Sequence, residues 1–378
     1  MEPRNLPSVD ALAQSLQTKH DLPSAVIVAV AKASIAEARM SIDADGTPDP
    51  LALASAELSD IQAARPHTVI NATGVLLHTN LGRASVPPDA VDKAAAAALQ
   101  PSNVELDIRT GRRSKRHAYL TTVLPILTGA EAGFAVNNTA GALLLALAAT
   151  AGQGGRVAVS RGELIEIGGS FRLPELMAAS GAELVEVGTT NRTRISDYEA
   201  VVADCDALLK VHPSNYRIDG FNESASAMDM ANLAAARDIP FIYDVGSGLV
   251  DRDAPWLGNG PHPWLADEPG VIQAVETGAA LVLFSGDKLF GGPQAGIVFG
   301  TAKAVGMVSS HPIARAVRLD GSSIAALAAV TEMYLDHRAT EIPFWAMASA
   351  TVEDIAIRAE AVAEGLPNVT IVDGQSVP

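Results

Sequence analysis

The sequence has little cysteine and little positive charge. Cys205 is the single cysteine, which excludes an intramolecular disulfide and a cysteine-rich metal site. We expect it to be a small buried side chain. Lys and Arg number 27 against 43 Asp and Glu, for a formal net charge of −16. This balance disfavours a general nucleic-acid binder, because affinity for phosphate backbones comes largely from cationic side chains, and any RNA contact is expected to be local.

Long apolar runs are also missing. The longest stretch of low polarity, residues 141–152, is too short to span a bilayer, and residues 1–10 lack the apolar centre of a signal peptide. A cytoplasmic protein is therefore expected. With 378 residues, 48% of them hydrophobic, the chain can bury one large core and still carry a smaller domain.

The order of patterns along the chain predicts an α/β protein. Helical patterns at 8–16, 24–40 and 50–64 predict a small helical domain over residues 1–66. Short apolar runs then alternate with Ala-rich helical stretches, which indicates a mostly parallel sheet wrapped by helices, and a large domain over 67–310. The predicted strands are 133–136, 156–159, 183–187, 207–211, 240–243 and 280–284.

The last section, residues 311–378, combines a long helical pattern with a strand-like run at 369–372. We interpret it as the start of a small C-terminal domain that is truncated.

A lysine and an aspartate each follow an apolar run of the predicted sheet. Lys288 comes just after the run 280–284, and Asp244 ends the run 239–243. Both would lie at the carboxyl edge of the sheet, where open α/β folds bind ligands. Pyridoxal phosphate (PLP) requires such a pair, a lysine that bonds to its aldehyde and a carboxylate that keeps its ring nitrogen protonated. The alternative for Lys288 is a surface ion pair with Asp287. The alternatives for Asp244 are an N-cap or a metal ligand, and the lack of a nearby His/Asp cluster argues against the metal.

A polar turn that precedes both residues is a candidate anchor for the phosphate of PLP. It follows the run 133–136 and consists of Asn138, Thr139, Ala140 and Gly141. Free backbone N–H groups and the dipole of the next helix would point at one spot there. Plain helix capping by Asn138 and Thr139 is the alternative. The order of phosphate turn, aspartate and lysine fits the aminotransferase-like, fold-type I architecture of PLP enzymes.

Several longer blocks resemble one family of that architecture, the bacterial L-seryl-tRNA(Sec) selenium transferases, or selenocysteine synthases. The hallmark block, INATGVLLHTNLGRA, occupies residues 70–84. Further matching blocks are 160–172, 186–192, 210–217 and 285–296, and residues 6–10 match the N-terminal opening of the family. Together the blocks cover roughly residues 67 to 320 and are far more specific than any lone motif.

The resemblance implies a set of cofactor contacts. PLP would be bound by Lys288, with Asp244 at the ring nitrogen and with His212 and Ser247 beside the cofactor. A packing role for His212 is the alternative, since it follows a strand.

The resemblance also implies a reaction and its partners. Seryl-tRNA(Sec) would lose its α-proton to Lys288 and its β-hydroxyl to give an aminoacrylate, to which selenophosphate would deliver selenium. Arg83, Arg315 and Arg318 would clamp selenophosphate, because planar guanidinium groups suit a phosphate. Arg116 is a weaker substrate-binding candidate, and pairing of these arginines with surface acids is the alternative. The family assembles as a homo-oligomer, a decameric ring, and uses its N-terminal domain to bind the tRNA.

Two other functions are compatible with the sequence. A PLP lyase that acts on a free small amine is favoured by residues 1–66, whose five basic residues against nine acids are a poor footprint for RNA. The complete hallmark block argues against it. A catalytically inactive assembly subunit is the second, and the retained Lys288 and Asp244 argue against it.

Overall fold

The computed structural model describes residues 6–41, 49–167, 171–214, 216, 218–258 and 260–376. Contacts divide the chain into two compact units, Met1–Ile70 and Asn71–Pro378. This division lies four residues after the predicted boundary at residue 66, and the second unit includes the section from residue 311 onward. Among the described residues, no helix is both long and apolar enough to cross a membrane.

The first unit contains three helices in its described part, α1 (Val9–Gln17), α2 (Ser24–Met40) and α3 (Pro50–Ala63). Ser8 caps α1 by accepting a hydrogen bond from the N–H of Ala11 at 3.1 Å. The apolar faces of the helices meet in a core of their own, in which Leu16, Ile27 and Leu58 are fully buried. The helical pattern predicted for this region is confirmed.

The second unit alternates helices and strands. Its helices are α4 (Pro88–Leu99), α5 (Leu120–Thr128), α6 (Thr139–Thr150), α7 (Leu173–Ser180), α8 (Ile195–Glu199), α9 (Ala227–Ala236), α10 (Val271–Glu276), α11 (Ala302–Ser310), α12 (Pro312–Ala316), α13 (Gly321–Leu335), α14 (Pro343–Ala348) and α15 (Val352–Ala363). Its strands are β1 (Leu106–Asp107), β2 (Arg112–Arg113), β3 (Ala132–Val136), β4 (Arg156–Ser160), β5 (Glu166–Ile167), β6 (Phe171–Arg172), β7 (Glu183–Val187), β8 (Ala207–Val211), β9 (Phe241–Gly246), β10 (Leu281–Ser285) and β11 (Gly296–Gly300).

Seven strands of the described chain form the central sheet, in the order β3-β11-β10-β9-β8-β4-β7. β11 runs antiparallel to both of its neighbours, and the other neighbouring pairs are parallel. Alternate residues of β10 enter separate cores, with Val282 and Phe284 on one face and Leu281 and Leu283 on the other. Burial of both faces explains the nearly continuous apolar runs.

All six predicted strands are confirmed, five of them within one residue at each end. The sixth, β9, begins one residue later than predicted and extends three residues further, to Gly246. The carboxyl ends of β3, β4, β7, β8, β9 and β10 share one edge of the sheet because these strands run in one direction. Cys205 is buried, as predicted, and burial raises the pKa of its thiol.

Two features of the second unit differ from the sequence analysis. β11 was not predicted, because the glycines at both of its ends resemble turn signals. The strand predicted at residues 369–372 is wrong: this stretch is exposed and has no regular structure. No strand pairs with it in the described chain, and an extended segment without a partner gains no ladder hydrogen bonds over coil.

Candidate active site

Lys288 lies three residues beyond β10, in a tight turn at the carboxyl edge of the sheet. The turn is closed by backbone hydrogen bonds from Gly286 to Ala295 and from Gly291 to Lys288, at 2.8 and 2.9 Å. The ammonium group of Lys288 donates a hydrogen bond to Ser214 Oγ at 3.0 Å. Burial lowers the pKa of Lys288, which favours the neutral, nucleophilic amine, and the nearby carboxylate of Asp244 opposes this effect.

Asp244 lies in β9, the strand adjacent to β10, and is buried. Its Oδ1 accepts a hydrogen bond from the N–H of Gly246 at 3.0 Å. Burial raises its pKa to about 6, while the charge of Lys288, the Gly246 hydrogen bond and His212 act in the opposite direction. The predicted aspartate and lysine are therefore brought within electrostatic reach of each other.

His212 and Ser247 surround this pair. His212 follows β8, and its backbone N–H donates to the backbone oxygen of Asp244 at 2.8 Å. Its Nε2 lies 2.7 Å from Glu268 Oε2. Ser247 is buried, and its backbone oxygen accepts a hydrogen bond from Leu289 at 2.9 Å, which ties the loop after β9 to the residue after the lysine.

The polar turn between β3 and α6 joins the same edge. Asn138 caps α6, since its Oδ1 accepts a hydrogen bond from the N–H of Gly141 at 2.7 Å. Thr139 Oγ1 shares a 2.6 Å hydrogen bond with Ser285 Oγ, at the end of β10. The N–H groups of Thr139 and Ala140 belong to the first helical turn and have no helical acceptor. The capping interpretation of Asn138 is correct, and it leaves donors at this helix end for an anion.

A cavity of about 1690 Å³ opens at this edge. Four of the predicted site residues line it, namely Arg83, His212, Ser247 and Lys288. Asp244, the turn 138–141 and the other predicted arginines are not among its lining residues. His78, from the hallmark block, also lines the cavity, and its buried Nδ1 has no hydrogen-bond partner within the described part of the chain.

Arg83 is held beside Lys288 by Asp287, the residue that precedes the lysine. Its guanidinium contacts both carboxylate oxygens of Asp287, at 3.1 and 3.3 Å, in a partly buried pair. The backbone of Arg83 has a φ of +63°, and the N–H of Ala84 donates to the backbone oxygen of Asp287 at 3.1 Å. The loop that carries the hallmark block is thus fixed to the lysine turn.

Two of the remaining predicted arginines, Arg116 and Arg318, contact Glu105 instead. Arg116 lies 2.7 Å from Glu105 Oε1 and Arg318 lies 3.5 Å from it, and Arg116 also donates to the backbone oxygen of Leu319. These contacts lower the pKa of Glu105, with the Arg116 hydrogen bond as the largest cause. Arg315 is exposed on α12 and has no ion-pair partner among the described residues.

Sequence reasoning missed several polar residues of the site. Ser214 and Asp287 lie inside the matching blocks, so a signal for them was present. Glu268 lies in a loop outside every block, and no pattern pointed to it. Glu163 and Lys210 form a further buried pair at 2.8 Å and line the cavity.

The residues present fit PLP. A partly buried lysine with a lowered pKa and a buried carboxylate on the adjacent strand suit its aldehyde and its ring nitrogen. The start of α6 suits its phosphate, and Gly141 keeps that turn narrow, because a Cβ there would lie 2.8 Å from Asn137 Oδ1.

Comparison with known proteins points to one family. The family model described as L-seryl-tRNA selenium transferase matches residues 69–374. An L-seryl-tRNA(Sec) selenium transferase of Hyphomonas neptunium is 43% identical over 99% of this chain and 82% of its own length. One from Solidesulfovibrio magneticus is 48% identical over 80% of this chain and 63% of its own length.

The fold has a counterpart among solved structures. D-glucosaminate-6-phosphate ammonia-lyase superposes with a TM-score of 0.58 at 21% identity, over 77% of this chain and 72% of that chain. Together with the sheet topology, this likeness confirms the predicted aminotransferase-like α/β fold class.

Proposed function

The chain belongs to the L-seryl-tRNA selenium transferase family, and on that premise we propose that it converts L-seryl-tRNA(Sec) to L-selenocysteinyl-tRNA(Sec). Selenophosphate is the proposed selenium donor. The observation that carries the proposal is the joining of the hallmark block to the lysine turn by the Arg83–Asp287 pair, at the wall of one cavity. The hallmark block and the lysine proposed to bind the cofactor thus share one site.

PLP is the cofactor of this proposal. Lys288 and Asp244 would hold its aldehyde and its ring nitrogen, and the first turn of α6 would hold its phosphate, with Asn138 and Gly141 shaping that turn. His212 and Ser247 would lie beside it. When bound, PLP supplies an electron sink that makes the α-proton of an amino acid removable.

The residues of the chain supply proton transfer and charge. Lys288 Nζ is proposed to accept the α-proton of the seryl group, and burial favours the neutral amine that can do so. Its contact with Ser214 Oγ holds the ammonium form that results. The turn around Lys288 is closed by backbone hydrogen bonds, so the amine is presented from a fixed position.

The three arginines are proposed to bind the phosphate of selenophosphate. Arg83 lines the cavity, but Asp287 occupies its guanidinium, so an anion must compete with or add to that pair. Arg315 is exposed, and within the described part of the chain the guanidinium of Arg318 has one ion-pair contact, with Glu105 at 3.5 Å. Both therefore retain donors for an incoming phosphate. Arg116 is a weaker candidate, since Glu105 and Leu319 already occupy it.

We further propose a cytoplasmic homo-oligomer, a ring by family resemblance, with the first unit as the tRNA-binding part. Apolar side chains exposed on the second unit support self-association. They include Leu99, Ile108 and Ile126, at 77%, 73% and 66% exposure. Light scattering of the purified protein measures its oligomeric state directly.

The decisive experiment is incubation of the PLP-loaded protein with seryl-tRNA(Sec) and selenophosphate, followed by analysis of the aminoacyl group. We expect selenocysteine from the wild type and none from Lys288→Ala. Lys303→Ala, on the exposed face of α11, is the matched control and should retain the product. Serine that is recovered unchanged from the wild type, in a preparation that carries PLP, would sink the proposed reaction.

A further inference from the structure

The contact between His212 and Glu268 is a short polar contact at the cavity wall that the cofactor proposal does not use. His212 Nε2 and Glu268 Oε2 are 2.7 Å apart, and both side chains are largely buried, at 18% and 16% exposure. Both line the cavity together with Lys288. A carboxylate has no proton to donate, so the proton of this hydrogen bond resides on Nε2 of the imidazole.

Glu268 is presented from a loop that is fastened at both ends. Its N–H donates to the backbone oxygen of Leu265 at 3.0 Å, and the side chain of Leu265 is buried. Two residues later, Gly270 forms a β-bridge with Leu249, and the N–H of Val271 donates to the backbone oxygen of Leu249 at 2.7 Å. The carboxylate therefore meets the imidazole from a fixed position.

The histidine is fastened in turn to the carboxylate strand. The backbone N–H of His212 donates to the backbone oxygen of Asp244. The side chain of His212 also opposes the rise that burial causes in the pKa of Asp244. Glu268 in its turn raises the pKa of Lys288. Hydrogen bonds thus connect Glu268 through His212 to Asp244, and the charge of Glu268 acts on Lys288 across the cavity wall.

We propose that Glu268 is a positioning residue: its carboxylate holds the imidazole of His212 in one orientation, with Nε2 protonated, against bound PLP. The inference rests on the proposed PLP site. The loop between β9 and α10 carries Glu268 over the end of β8, where it fixes the side chain of His212 beside the cofactor. Without the carboxylate, the ring can rotate about its two side-chain bonds, and its contact with the cofactor becomes one of several states.

The test uses the PLP-loaded full chain and measures the visible absorbance band and the Kd for PLP. Glu268→Ala should shift the band and raise the Kd roughly 10-fold, since loss of a group that orients a contacting side chain costs about 10- to 100-fold in affinity at metal sites. Glu268→Gln should restore both readouts, because its amide oxygen can still accept the Nε2 proton. Glu276→Ala, which removes an exposed acid at the end of α10, should match the wild type.

A double-mutant cycle separates positioning from general stability. In a His212→Ala background, Glu268→Ala should have no further effect on the band or the Kd, because the group that it positions is gone. The inference would be overturned if Glu268→Ala raised the Kd for PLP by the same factor with and without His212. A wild-type band in Glu268→Ala would overturn it too. If instead the wild type binds PLP on Lys288 but makes no selenocysteine, the proposed function fails while this cycle still reads out the role of Glu268.

Discussion

Lys288 and Asp244 each favour the charged form of the other, against the effect of burial. Burial lowers the pKa of the lysine and raises that of the aspartate, and each opposes this change in its partner. Breaking such a buried pair by removing one partner leaves an uncompensated charge, which is costly. The arrangement is suited to a cofactor whose ring nitrogen can replace the lysine as the partner of Asp244.

The raised pKa of Asp244 leads to a prediction for the protein without PLP. The folded protein holds the Asp244 proton up to a pH of about 6, while the unfolded chain loses it near 3.8. The free energy of unfolding therefore falls as pH rises through this window, by roughly 3 kcal/mol if the site titrates alone. Asp244→Asn has no proton to lose, so its stability relative to the wild type should increase between pH 4 and 6.

Urea unfolding of both PLP-free proteins at several pH values measures this difference. Titrations of groups that do not interact with Asp244 are shared by the two proteins and cancel in the comparison. Parallel pH profiles of the two proteins would show that Asp244 is not shifted as its burial implies.

A second residue-scale prediction concerns the arginines of α12 and its C-terminal flank. Arg315→Ala or Arg318→Ala should weaken the use of selenophosphate by about 10- to 100-fold, because a lost charge-assisted hydrogen bond contributes about 1.5–3 kcal/mol. The visible band of PLP should not change. Arg358→Ala is the control, since that side chain is exposed on α15 and has no part in the proposed site.

The measurement is the rate of selenocysteine formation as selenophosphate is varied. Unchanged saturation in both variants would remove Arg315 and Arg318 from the proposed clamp.

Residues of the site differ in how far the sequence reveals them. Lys288 and Asp244 are predictable because each follows an apolar run that must be a buried strand. Their proximity follows from parallel strands ending at one edge. Glu268 is not predictable, since its role arises from a loop folding over the end of β8, 56 residues from His212 in sequence.

At the scale of elements, the parallel strands were predictable and β11 was not. Burial on both faces makes a parallel strand a continuous apolar run, which sequence displays directly. β11 begins at Gly296, whose backbone approaches the Asn138 carbonyl so closely that a Cβ would clash with it. The glycine that resembles a turn signal thus exists for close packing against the start of α6.

That close approach predicts the effect of a single methyl group. Gly296→Ala should destabilise the second unit by about 1–3 kcal/mol, because β11 or the turn before α6 must shift. It should also weaken the retention of PLP, since the proposed phosphate anchor moves with that turn. Gly306→Ala is the contrast: it lies within α11 with open space around it, and should stabilise by about 0.5–1 kcal/mol.

Chemical unfolding followed by fluorescence, with the Kd for PLP measured in parallel, checks both variants. A Gly296→Ala protein as stable as the wild type would show that the turn adapts at no cost.

At the scale of the whole molecule, the charge of −16 limits how RNA can be bound. Residues 1–66 have five basic residues against nine acids, so bulk attraction to a phosphate backbone is absent in the unit proposed to bind tRNA. Recognition must rest on RNA shape and a few local contacts. The basic residues of the second unit that precede α5 are candidates to supplement them, namely Arg109, Arg112, Arg113, Lys115 and Arg116.

Removal of residues 1–66 tests this arrangement. The first unit has its own core, and so does the second, where the proposed PLP residues lie. The shortened chain should therefore lose tRNA(Sec) binding and keep the visible band of PLP. For the full chain, raising the salt concentration should weaken binding only modestly, because few phosphates are neutralised. Filter binding at two salt concentrations measures both effects. If the shortened chain binds tRNA(Sec) as tightly as the full chain, the second unit carries recognition; if the full chain does not bind it, a free small amine becomes the better substrate.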